Sequence, residues 1–244
     1  MNTARVNNQA GFSLIELIIA MGVTVTIMAL SSSLLAGSFR VRSREDRKSD
    51  AIADAQRALN IMTREIGNAG LKLPGGLGAV ATNGIVTNDS DSTSIRIVSN
   101  LNGMPEAANG YAEDSDVNDP DEDLKFLMYV DAALGQRYIV RYERNGTNQT
   151  TVLANRVDSL IFRYYDEKVT YDTTVDEKGV CDITNVKDAA GNAKNPVSPA
   201  DAKFIVIAVG VTLPAVGTPN RDGYQPPSQV QLTSDVVLRN SIIY

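Results

Sequence analysis

The chain contains no histidine, and with it go the commonest general base and the commonest metal ligand, which weakens any expectation of hydrolytic chemistry. A single cysteine, Cys181, rules out an internal disulfide, so whatever domain the chain builds is held by its core. Basic residues are missing from one stretch in particular: residues 113–123 hold seven acids (Glu113, Asp114, Asp116, Asp119, Asp121, Glu122 and Asp123) and no base. Without that stretch the net charge moves from −6 to +1, so the acidity is local and gives no protein-wide affinity for cations or basic partners. No internal repeat is visible, and no nucleic-acid signature appears beyond a short basic cluster at residues 40–48, which reads as facing lipid headgroups. The apolar fraction, 43%, is ordinary for a packed core. A binding or structural protein is therefore expected ahead of an enzyme, and no cofactor is implied.

Charge is also nearly absent close to the N-terminus. After a polar segment, residues 12–39 carry only Glu16, and the next charge is Arg40. The uncharged run of residues 17–39 makes a helix of about 35 Å, enough to cross a hydrocarbon core of about 30 Å. A conventional secretory signal would be cut after this run, near Ala36-Gly37. A lipoprotein signal would need cysteine where the chain has Ser38. Against the secretory reading stands Glu16, because a carboxylate within an apolar stretch costs about 2.5–3.5 kcal/mol on insertion scales and a signal peptide gains nothing from it.

The residues Gly11-Phe12-Ser13-Leu14-Ile15-Glu16, set just before the apolar run, resemble the prepilin cleavage and methylation motif of type IV pilins and type II secretion pseudopilins. The resemblance implies that a prepilin peptidase cuts after Gly11, that the exposed Phe12 is N-methylated, and that Glu16 is the assembly residue. It also implies a single-pass inner-membrane anchor, a head in the periplasm, and other pilins as partners. Physically, cutting before the run keeps the span and places a positive α-amino group at its start. A buried Glu16 is tolerable when paired with such a group on its own or a neighbouring subunit. The basic flank of Arg40, Arg42, Arg44, Arg47 and Lys48 opposes this orientation under the positive-inside rule, although long domains translocate largely regardless of charge.

Beyond the flank, Ile52, Ala55, Leu59, Met62, Ile66 and Ala69 recur at three- and four-residue intervals, an amphipathic stripe that Gly67, Gly70 and Pro74 bring to an end. One helix is predicted over residues 12–69. From residue 80 the pattern changes to short β-type runs at residues 93–99, 124–130, 137–144, 151–153, 160–165, 204–213 and 229–238, with loops at 100–123, 166–202 and 214–228. No helical period separates these runs, so an α+β fold is expected in which the long helix packs on an antiparallel sheet. The expected organisation is a leader at 1–11, an assembly helix at 12–39, its amphipathic continuation at 40–70 and a β-rich head at 71–244.

Residues 58–66 with Ala69-Gly70, residues 157–166, and the terminal Val237-Leu238-Arg239-Asn240 resemble the PilW minor pilins and the J-type pseudopilins. That resemblance implies a subunit that helps start or cap a filament. The alternatives are a J-type pseudopilin of type II secretion and a secreted β-rich binding protein. One ligand site suggests itself: Asp114, Asp116, Asn118 and Glu122 fall at positions 1, 3, 5 and 9 of an EF-hand-like calcium loop. Asp119 stands where that loop wants glycine and Lys125 where it wants a bidentate glutamate, so a solvated acidic loop is the stronger expectation and calcium the weaker.

Overall fold

The computed structural model describes residues 13–74, 77–101, 116–145, 149–155, 157–175, 181–213, 215–220 and 224–241. A helix, α1, spans Leu14–Ile66. Among the described residues nine strands follow: β1 (Ser94–Val98), β2 (Asp123–Asp131), β3 (Gln136–Glu143), β4 (Thr150–Asn155), β5 (Ser159–Tyr165), β6 (Thr170–Val175), β7 (Cys181–Lys187), β8 (Phe204–Leu213) and β9 (Ser228–Val237). They make an antiparallel sheet β1-β2-β3-β4, a second antiparallel sheet β5-β8-β9 and the hairpin β6-β7. The fold is α+β, with residues 51–66 of the long N-terminal helix packed on antiparallel sheets. By internal contacts the chain divides into a unit reaching to Asp46 with Val216–Gln225, and a unit of Arg47–Ala215 with Pro226–Tyr244.

In the larger unit, α1 buries Ala51, Ala55, Ala58, Leu59, Met62 and Ile66. The small residues come first and let the backbone lie close to the sheets. Leu59, Met62 and Ile66 then fill the core with Ile95, Ile97, Phe126, Ile139, Leu160 and Phe162. Each such side chain, fully buried, is worth about 1.5–3 kcal/mol.

Strand β8 (FIVIAVGVTL) is buried along nearly its whole length because it is covered twice. Ile205, Ile207, Val209 and Val211 join the helix-side core, while Phe204, Val206 and Ala208 pack with Tyr165, Val169, Cys181 and Ile183. The second cluster exists because hairpin β6-β7 lies over that face, an arrangement that the prediction of a loop at 166–202 missed. The hairpin's sequence is polar on its outer side and offers the core only alternate residues, so it lacks the run of apolar side chains that marks β8. In the first sheet, the register between β3 and β4 shifts at Ile139 and Val140, and the extra residue lets Leu153 and Ala154 both turn inward.

The end of α1 is fastened tightly. Gly70 and Gly84 both have positive φ, 79° and 83°. A Cβ on Gly84 would sit 1.9 Å from the Gly70 nitrogen, so glycine is required by contact as well as by conformation. The Gly70 N–H donates to Val98 O at 2.9 Å, tying the turn after the helix to β1. Asn83 donates to the carbonyls of Pro199 and Ala202 and accepts from the Ile85 N–H, closing the segment between helix and sheet. Tyr164 donates from its hydroxyl to Asp91 O at 2.9 Å, and burial pushes that hydroxyl far above the usual tyrosine range.

Candidate functional site

Gly11, Phe12 and Asp114 lie outside the described residues. Glu16 is described, and it sits exposed in the first turn of α1. The carbonyl of Ser13 accepts the N–H groups of Glu16 and Leu17 at 3.1 and 3.2 Å, which makes Ser13 the residue that opens the helix, a position serine favours. A carboxylate in the first turn meets the positive end of the helix dipole, so Glu16 is well placed electrostatically before any partner arrives.

From Leu14 onward the helix presents apolar side chains on every side. An 18-residue window of α1 has mean hydropathy 2.2 and none of it is buried within the protein. A helix apolar all round is a helix made for an apolar surrounding. Two of its hydroxyls bond back to the helix: Thr24 donates to Ala20 O at 2.7 Å and Thr26 to Gly22 O at 2.8 Å. Each side chain spends its proton on its own helix, so neither demands water at that depth.

The chain carries a prepilin-type N-terminal methylation motif. Residues 6–35 match the family model of the prokaryotic N-terminal methylation motif, a stretch that includes Gly11, Phe12, Glu16 and most of the apolar run. The motif together with the helix fits a membrane-anchored, pilin-like protein, and it implies processing by a prepilin peptidase and assembly with other pilins in general. No curated protein and no solved structure matches the chain significantly.

The three segments that suggested a subgroup meet in the larger unit. Leu59, Met62, Ile66 and Ala69 share one core with Val157, Leu160, Phe162, Tyr164 and Leu238. Asn240 donates from Nδ2 to Ala69 O at 3.1 Å, and the Arg239 N–H reaches Gly67 O at 3.5 Å. These donors hold the turn that follows the helix, while carbonyls of its last turn at Thr63, Glu65 and Ile66 are met locally by the N–H groups of Gly67, Asn68 and Ala69.

A second fastening was not foreseen from sequence. Arg141 on β3 donates from Nε to Glu65 Oε2 at 2.8 Å and also pairs with Asp121. Its charged form is favoured by those two carboxylates against the cost of its burial. Nothing local marks this arginine, because its partners lie 76 and 20 residues away. Beside it, a cleft of about 180 Å³ is lined by residues that include Arg64, Glu65, Asn68 and Asp121.

The acidic stretch is organised by its own hydrogen bonds. Glu122 is buried, and its two oxygens accept the N–H groups of Leu101 at 2.8 Å and Asp119 at 3.1 Å. Asp116 accepts the Asn118 N–H at 3.0 Å, and Asn145 donates to the carbonyls of Val117 and Asp119. Among the described residues, no group of three or more acids and cysteines is arranged to hold a metal ion.

Proposed function

We propose that the chain is a minor pilin, a structural subunit that joins other pilins through its N-terminal helix and helps start or cap a filament whose heads lie in the periplasm. It acts by assembly and not by catalysis. The observation that carries this reading is the methylation motif at residues 6–35 overlapping the exposed apolar part of α1, residues 14–39, whose one charge is Glu16. On this reading Glu16 is buried only when it pairs with the α-amino group of a processed Phe12, so correct stacking is rewarded and incorrect stacking leaves an unpaired charge in an apolar setting. The resemblance of residues 58–66 with Ala69-Gly70, 157–166 and 237–240 is to PilW minor pilins and to J-type pseudopilins alike, and it supports a subunit that helps start or cap a filament.

Co-expression with a prepilin peptidase should yield a mature chain whose mass and N-terminal sequence begin at N-methylated Phe12. A chain beginning at Gly37 or Ser38 would instead mark a secreted binding protein. Glu16→Ala should keep membrane levels and processing while incorporation into filaments and the number of filaments fall, and Glu16→Gln should behave like alanine because the charge is the element that pairs. Unchanged secretion with fewer pili would separate the pilus from a type II secretion pseudopilus.

A further inference from the structure

The apolar part of α1 is longer than the membrane it fits. Residues 14–39 make about 39 Å of helix against a hydrocarbon core of about 30 Å, so something must decide which end takes up the excess. The next residues are Arg40 and Arg42, both exposed. Among the described residues neither makes a hydrogen bond or ion pair. Arg44, two positions on, donates to Gln225 Oε1 at 2.6 Å. Acids begin only at Glu45 and Asp46. A guanidinium offers a planar fork of donors that matches a phosphate, and at the end of a membrane span the phosphates at hand are those of lipid headgroups.

We propose that Arg40 and Arg42 form a collar that binds anionic lipid phosphates in the leaflet at the Phe39 end of the span and thereby fixes the depth of the helix. The inference rests on the reading of α1 as a membrane anchor and adds a lipid specificity to it. With the collar engaged, Glu16 stands about 36 Å along the helix, at the opposite boundary of the hydrocarbon and not within it. The collar thus holds the assembly carboxylate where it costs little until a partner arrives, and drawing the subunit out of the membrane requires those phosphate contacts to break.

The test uses the full chain with Cys181→Ser and Ser38→Cys, labelled at residue 38 with an environment-sensitive fluorophore, in nanodiscs of phosphatidylcholine alone or with added phosphatidylglycerol. Spin-labelled lipids carrying the quencher near the headgroup or deep in the chain report the depth of the label. Phosphatidylglycerol should move the label toward the shallow quencher, and about 1 M salt, which shortens the screening length to about 3 Å, should undo the shift. The pair Arg40→Gln with Arg42→Gln should weaken the preference for phosphatidylglycerol about 30-fold and abolish the shift over the same range of composition. Arg40→Lys with Arg42→Lys should retain most of it. A wild-type depth indifferent to phosphatidylglycerol, or a shift that survives in the glutamine pair, would overturn the collar. A label quenched by no lipid in any bilayer would overturn the anchor itself, and the two failures are distinct in the same data.

Discussion

Residues 17–39 and 51–66 belong to the same helix, with the same backbone hydrogen bonding and the same pitch, but the first segment exposes every residue except Gly37 and the second buries a stripe to complete exclusion of solvent. The difference lies in the side chains alone. In the first segment apolar residues occupy all sides, so no direction is preferred and only an apolar medium or other helices satisfy it. In the second, apolar residues fall on one side, with Arg57, Arg64 and Asn60 on the others, and the sheets satisfy that side. One helix therefore carries two kinds of solvation, and mutations in its two segments should be read by different assays.

The sharpest way to break the buried segment lies beyond its end. Gly84→Ala places a methyl group on the Gly70 backbone at a positive φ, which no side-chain rearrangement relieves. It should cost more than about 4 kcal/mol, enough to unfold the head, and should appear as loss of a cooperative melt and rapid proteolysis of residues beyond α1 while the membrane-bound fraction persists. A smaller effect is expected from Met62→Ala, which empties a site of zero exposure and should destabilise the head by about 2–5 kcal/mol in denaturant melts. Ile19→Ala, in the exposed segment of the same helix, should leave that melt unchanged. Equal losses from both substitutions would abolish the distinction between the segments.

The smallest effect concerns charge on the head. Hydrogen bonding from Arg96 holds Asp89 below its ordinary value of 3.8, with Lys125 and Arg144 adding to the effect. A carboxylate depressed by folding stabilises above the unfolded value and loses that contribution as pH falls through the folded one. The head's melting temperature should therefore fall as the medium is acidified below about pH 4. Asp89→Asn should make that acid-side decline shallower while lowering the melting temperature slightly at neutral pH. An identical slope in both proteins would show that the pair contributes nothing.

The exposed segment was legible in the sequence because absence of charge over 23 residues needs no partner to be recognised. The stripe from Ala55 to Ile66 was legible for a related reason, since its period is local. The helix was expected to reach Ala69 and stops at Ile66, where Gly67 ends it. Seven strands were located to within two residues by their β-type runs, β8 most clearly, because a central strand covered on both faces is apolar throughout. Strands β6 and β7 were not, since one face of a peripheral hairpin is solvated and Thr170, Asp172, Thr173 and Thr174 look like loop. Glu16 could be singled out as an isolated charge, whereas Arg141, Asn83 and Gly84 owe their roles to residues far away in sequence, and no periodicity carries that information.

The bond from Asn240 to Ala69 spans 171 residues of chain. At about 5–20 residues per second of synthesis, roughly 10–30 s separate the emergence of the helix from that of the asparagine that fastens the turn after it. For most of that interval Leu59, Met62 and Ile66 have no β8 or β9 to cover them. The head is thus a late-closing structure, and the newborn chain stays exposed to proteases and to holding chaperones for most of its own manufacture.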